Sequence, residues 1–180
     1  HTTQNGYATM QSEMLFNLLF KSAHDTLEGV MTDVTDAIAN WVPSTVVATI
    51  GAQYIHAVTS EDAIVNAILK GGAPLMATTF AGKIGAPSAP ELFKWSEWGR
   101  TVKVDVTAAK AYAQAVYAST AEYIGSLNAE KLGEVLDLTA AGLGQMPRAA
   151  VLSIALMQPY VHGGEISALK GLQGLKGYAI

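Results

Sequence analysis

Three histidines set the chemical question. His56 stands in the middle of a stretch, residues 37–60, that holds no formally charged side chain. His162 lies in the uncharged part of the final segment, and His24 comes four residues before Glu28. Imidazoles projecting inward from facing helices are a recurrent way of holding zinc or nickel. The same pattern also fits core histidines bonded to a hydroxyl or a backbone carbonyl, and spacing alone leaves both readings open. For His24 the four-residue spacing predicts a surface pair with Glu28 on one helix face. His1, the first residue, carries no functional weight. Cysteine is absent, which excludes disulfides, thiolate metal sites and a cysteine nucleophile. Ser153 and Ser167 stand in no Gly-x-Ser-x-Gly elbow. Gly171, Gly174 and Gly177 follow no strand and precede no phosphate-binding Gly-Lys-Ser/Thr sequence, so they serve packing and helix termination.

The elements that must position these side chains are helices. Met14, Leu15, Leu18, Leu19, Ala23, Leu27, Val30, Met31, Val34 and Ile38 recur at helical spacing. They predict a helix over about 10–39, either one long helix or two collinear ones bent near Gly29. Trp41-Val42-Pro43-Ser44 ends it, with Ser44 available to cap the next start. A second helix is predicted over about 45–69. A strand competes for 45–50, where β-branched residues are dense, but Ile50, Tyr54, Ala57, Ile64 and Ile68 keep helical spacing, and Gly71-Gly72 stops the segment. Residues 71–105, rich in glycine and proline, form a long connection with a turn or two of helix at 91–100. Such a connection is commonly functional or crosses the domain. A third helix is predicted over 107–127. An irregular region, 128–146, follows, with a short extended piece at 135–138. The last helix begins near Pro147, a favoured first-turn residue, and reaches about Leu169. Four long helices with long second and third links predict an all-α, antiparallel four-helix bundle, one domain over 1–180.

Composition narrows the partners. Half of the 180 residues are hydrophobic and 14% are charged, enough for one well-buried core. The net charge of −4, with the basic residues scattered from Lys21 to Lys176, gives no footprint for nucleic acid. Asn40, Pro43, Ser44, Gln53 and His56 interrupt the uncharged stretch, which argues against a membrane span. The lack of cysteine and of a signal-peptide pattern leads us to expect a cytoplasmic protein. Phe93, Trp95 and Trp98 form an aromatic cluster beside the long connection. It suits ordinary packing of a crossing segment, and equally a pocket lid or a dimer contact.

Two motifs carry a family resemblance. Trp41-Val42-Pro43, leading to Ile55-His56-Ala57 and Ser60-Glu61-Asp62, resembles the second-helix signature of DinB-like proteins. His162-Gly163-Gly164-Glu165-Ile166 is similar to their C-terminal signature, a histidine before Gly-Glu-Ile or Gly-Gln-Ile. With compatible helix lengths the resemblance covers nearly the whole chain. It implies an up-up-down-down four-helix bundle, often paired as a homodimer. It also implies a divalent metal, zinc or nickel, held by one histidine of the second helix and two of the last, four residues apart. Related members transfer a low-molecular-weight thiol to an electrophile or isomerise a thiol conjugate.

At the second of those last-helix positions this chain has Gln158, so the implied triad reads His56, Gln158 and His162. An amide oxygen is a poorer ligand for zinc or nickel than imidazole. Pro159, next in sequence, is expected to bend the helix there. Glu61, Glu28 and His24 are the remaining candidates for a third ligand. Glu165 and Glu61 are the carboxylates expected to support the site from outside the coordination sphere, Glu165 by orienting an imidazole or, in the competing reading, by pairing with a lysine at the surface. The resulting expectation is a metal-dependent enzyme acting on a small molecule, of thiol-transferase type. The alternative is a non-catalytic small-molecule-binding or dimeric interaction module that has lost the full triad.

Overall fold

Four side-chain oxygens mark where helices begin. Thr35, Thr49, Asp105 and Asn128 each accept the backbone N–H three residues on, at Ile38, Ala52, Ala108 and Lys131. Each bond satisfies a donor that the first turn leaves unpaired. The computed structural model describes residues 11–90 and 94–178. In chain order the helices are α1 (Ser12–Val30), α2 (Asp36–Ala39), α3 (Ile50–Asp62), α4 (Trp95–Thr101), α5 (Val106–Gly125), α6 (Ala129–Gly133) and α7 (Arg148–Leu172). A π-helical segment, Ala63–Leu69, continues α3 directly. Strands β1 (Val135–Leu138) and β2 (Gly144–Pro147) form an antiparallel hairpin with Val135 opposite Pro147.

The protein is therefore mostly helical, with a small two-stranded sheet where the sequence predicted an all-α chain. The extended piece expected at 135–138 is β1, and β2 is its unforeseen partner. α3 and α7 pack along each other, α1 packs on α7 and α5, and α5 on α3. One core cluster centres on Leu27, Tyr54, Ile55, Tyr112, Val116 and Ile166. A second, toward the hairpin, holds Phe20, Val65, Ile124, Leu152 and Ala155. Among the described residues no helix is long and apolar enough to cross a membrane.

Two predicted helix boundaries are corrected. The first helix is not one run to Ala39: the break comes beside Gly29, as the alternative reading had it, with α1 ending at Val30, a turn following and α2 a separate short helix. Two lysines from distant elements satisfy carbonyls that the helix end leaves open. Lys170 Nζ donates to Val30 O (2.9 Å) and to Asp33 Oδ1 (2.5 Å), and Lys110 Nζ donates to Met31 O (2.7 Å). A cation at a helix C-terminus also complements the helix dipole. Lys170 is only 2% exposed, so this cap belongs to the core.

The second helix starts at Ile50, not near Thr45. Ser44 caps only a turn, its Oγ accepting from the N–H groups of Val46 and Val47. The exposed, β-branched Val46 and Val47 form neither helix nor strand. Gly71 stops the helical run as expected, with φ of 68°. Residue 10, in the predicted first helix, and residues 91–93, in the turn or two of helix expected at 91–100, lie outside the described residues.

The connection from 71 to 105 is tied down by one carboxylate. Asp62, fully buried at the end of α3, accepts from Asn66 Nδ2 (2.8 Å), Tyr112 Oη (2.7 Å) and the backbone N–H of Leu75 and Met76 (both 2.9 Å). Gly85 brings the same connection against the start of α5. Its φ is +81°, its carbonyl accepts Asp105 N–H at 2.8 Å, and an added Cβ would fall on the backbone of Ala109. The π-helical turn lies directly after Asp62, and such turns are frequent at functional sites.

Candidate functional site

His56 on α3 and His162 on α7 meet where these helices pack. Their ring centroids are 4.8 Å apart and their planes nearly perpendicular, at 88°. Gln53, three residues before His56, is buried, and its Oε1 lies 2.7 Å from His162 Nδ1. Glu165, one turn beyond His162, brings Oε2 to 2.7 Å from the same nitrogen. Two acceptors facing one ring nitrogen assign the hydrogen to it, so Nδ1–H donates to both. In the neutral ring Nε2 then keeps the free lone pair. The exposed Glu165 is thus engaged with His162, and with no lysine among the described residues.

Burial pushes the His56 imidazole down to about 4, and the neighbouring His162 adds to the effect. At pH 7 the ring is neutral and its lone pair is available to a metal. The depressed value also has a stability consequence. Unfolded His56 takes up a proton near pH 6.5, whereas the folded ring resists until about pH 4. Acid therefore favours the unfolded chain: the contribution is intact above pH 6.5 and is lost as pH falls toward 4. For a ring with partial solvent contact we expect a loss on the order of 1–2 kcal/mol. Comparing urea unfolding of wild type and His56→Leu between pH 7 and 4 checks this. The variant should lack that share of the acid destabilisation, and parallel curves would refute it.

Trp95 of α4 closes one side, 4.6 Å from His56 and 6.4 Å from His162 between ring centroids. Trp98 packs on Trp95 at 5.7 Å. A cavity of about 250 Å³ opens beside His56, walled by Thr59, Ser60, Met76, Pro90 and Trp95. The aromatic cluster thus combines packing with a wall of the site; Phe93 lies outside the described residues.

The remaining candidates separate from this centre. Gln158 is half-buried, and its Nε2 donates weakly, at 3.4 Å, to Ile154 O of its own helix. α7 is continuous through Pro159. Glu61, expected beside the histidines, bonds instead with His24 Nε2 (2.9 and 3.1 Å) and Thr120 Oγ1 (2.6 Å). The reason is helical geometry: five residues from His56 is a rotation of about 140°, nearly the opposite face. His24 is likewise corrected from its predicted pairing with Glu28. Glu28 accepts from the hydroxyls of Tyr54 (2.7 Å) and Tyr117 (2.9 Å), while His24 stacks on Tyr117 with centroids 3.7 Å apart. Among the described residues no three or more His, Cys, Asp or Glu side chains converge as a ligand set. Two imidazoles suit a transition metal as donors. Gln53 was missed in sequence; its position three residues before His56 was the available signal.

The model of the DinB superfamily matches residues 19–166, and the chain belongs to that superfamily. Its structure is similar to that of a conserved protein from Enterococcus faecalis, with a TM-score of 0.76 and 21% sequence identity. The match covers 91% of this chain and 98% of that one, and at this identity it is a likeness of fold. No curated protein matches the sequence.

Proposed function

We propose that this DinB-superfamily protein is a metal-dependent enzyme acting on a small molecule, with His56 and His162 as ligands of a zinc or nickel ion. The observation that carries this reading is the paired hold of Gln53 and Glu165 on His162 Nδ1–H. A ligating histidine characteristically donates its other N–H to such a partner, which fixes the tautomer and raises the basicity of the ligating nitrogen. His56, neutral at pH 7, supplies the second nitrogen.

When bound, the ion would lower the pKa of a thiol or water and so supply a nucleophile near neutral pH. The chain's own groups do the rest. Glu165 and Gln53 orient His162, Trp95 shields one side from water, and the cavity beside His56 receives the substrate. A low-molecular-weight thiol is the proposed ligand class, in line with superfamily membership, and the proposed setting is the cytoplasm. The up-up-down-down four-helix arrangement and a homodimer belong to the same proposal. Pairing is supported by the apolar Met14, Leu15, Leu18 and Leu19, all exposed near the start of α1.

The second reading, a binding or interaction module without turnover, is favoured by one observation: the Gln158 amide is bonded back to its own helix. Zinc affinity by competition with a chromophoric chelator tests the first reading. Glu165→Ala, an exposed position, is expected to weaken zinc about 10–100-fold without unfolding the chain. Equal affinity in wild type and variant would remove the orienting role on which the proposal rests.

A further inference from the structure

A second polar centre lies between α1 and α5, and the histidine pair does not use it. A cavity of about 350 Å³ is lined there by Phe20, Lys21, His24, Asp25, Glu28 and Tyr117, none of which borders the cavity beside His56. The volume is at the lower end of the range for small-molecule pockets.

Two acceptor atoms on residues of this wall have no protein donor among the described residues. Buried Glu61 receives His24 Nε2–H and the Thr120 hydroxyl, which fixes the His24 tautomer. In the neutral imidazole Nδ1 is left as an acceptor. Glu28 uses Oε1 for both tyrosine hydroxyls, leaving Oε2 without a protein donor among the described residues. Burial, reinforced by the charge of Glu28, pushes the Tyr54 and Tyr117 phenols up, so both remain donors. Neither brings a positive charge to Glu28. The one lysine on the wall, Lys21, is engaged by Asp25 at 2.5 Å. His24 and Glu28 stand one helical turn apart on the same face of α1, while Phe20 and Tyr117 supply apolar wall. A metal ion is a poor match, because one imidazole and one carboxylate are too few protein ligands to hold it.

We propose that this cavity binds a small organic ammonium ion, a primary or secondary amine with an apolar body. Its N–H groups donate to Glu28 Oε2 and His24 Nδ1. The site is separate from the histidine pair and does not depend on a metal there.

Benzylammonium is a suitable probe, with benzyl alcohol and benzoate as neutral and anionic counterparts, titrated into the full chain and followed by backbone amide NMR shifts. The expected result is saturable binding of benzylammonium with shifts centred on Gln114, Ala118 and Ala121 of α5. The alcohol and the carboxylate should bind at least tenfold more weakly. Glu28→Gln keeps an acceptor for the tyrosines and should weaken benzylammonium at least tenfold. Ala121→Phe, which fills the cavity from an exposed position, should abolish binding, and it decides the matter if Glu28→Gln does not fold. No saturation at millimolar concentration would overturn the proposal, as would equal binding of the alcohol, or shifts centred on His56 and Trp95.

Discussion

Replacing Asp62 with alanine is expected to destabilise the protein by about 3–5 kcal/mol, the scale seen when one partner is removed from a buried charged network. The variant strands two backbone N–H groups, a tyrosine hydroxyl and an amide, all of which lose their acceptor. Each buried donor left unpaired costs about 1–3 kcal/mol, reduced where water can enter. Leu75 and Met76 belong to the long connection, so the loss should also loosen the wall that Met76 gives the His56 cavity. Asp62→Asn keeps one carbonyl acceptor and should cost less than alanine. Urea denaturation of the three proteins decides: a cost below about 1 kcal/mol for Asp62→Ala would mean that the connection is held by its apolar contacts instead.

The second large effect concerns metal affinity. Gln158→His restores an imidazole four residues before His162, on the same face of α7. The side chain it replaces donates only a long bond to Ile154 O, so little is lost in the exchange. Imidazole is a far better ligand for zinc or nickel than a neutral amide. Zinc should bind at least tenfold more tightly, about 1.4 kcal/mol, and the gain should vanish when His162→Ala is added. An unchanged affinity in chelator competition would show that position 158 does not reach the site.

Much of the scaffold was legible in sequence because helical periodicity is a local signal. The third and last helices, the stop at Gly71 and the extended piece at 135–138 follow from apolar spacing and from glycine and proline. The errors lie where a distant residue decides. α1 ends at Val30, where Lys170, 140 positions away, caps it. Gly29 marks the place of the break in the sequence, but nothing within residues 10–39 announces the lysine that caps it. α3 starts late because Thr49, not the expected Ser44, caps its first turn.

The site divides in the same way. His56 and His162 were expected together on family resemblance, and the structure brings their rings into contact. Glu165 orients His162 from one turn away, a short-range relation that spacing expresses well. His24 was misassigned because the four-residue rule offered Glu28, while Glu28 was claimed by Tyr54 and Tyr117 from two other helices. In the sequence Glu61 is expected as a carboxylate supporting the site and Asp62 is only its neighbour in the motif; the packing of α1 and α5 around α3 makes both part of the core.

Metal content decides whether His56 and His162 hold a metal ion. Mass spectrometry of the untagged, purified protein should find close to one transition-metal ion per chain in wild type. That ion should be lost in the double variant His56→Ala, His162→Ala, with the helical circular dichroism signal unchanged. Wild-type protein free of metal even after incubation with zinc and nickel would contradict the account.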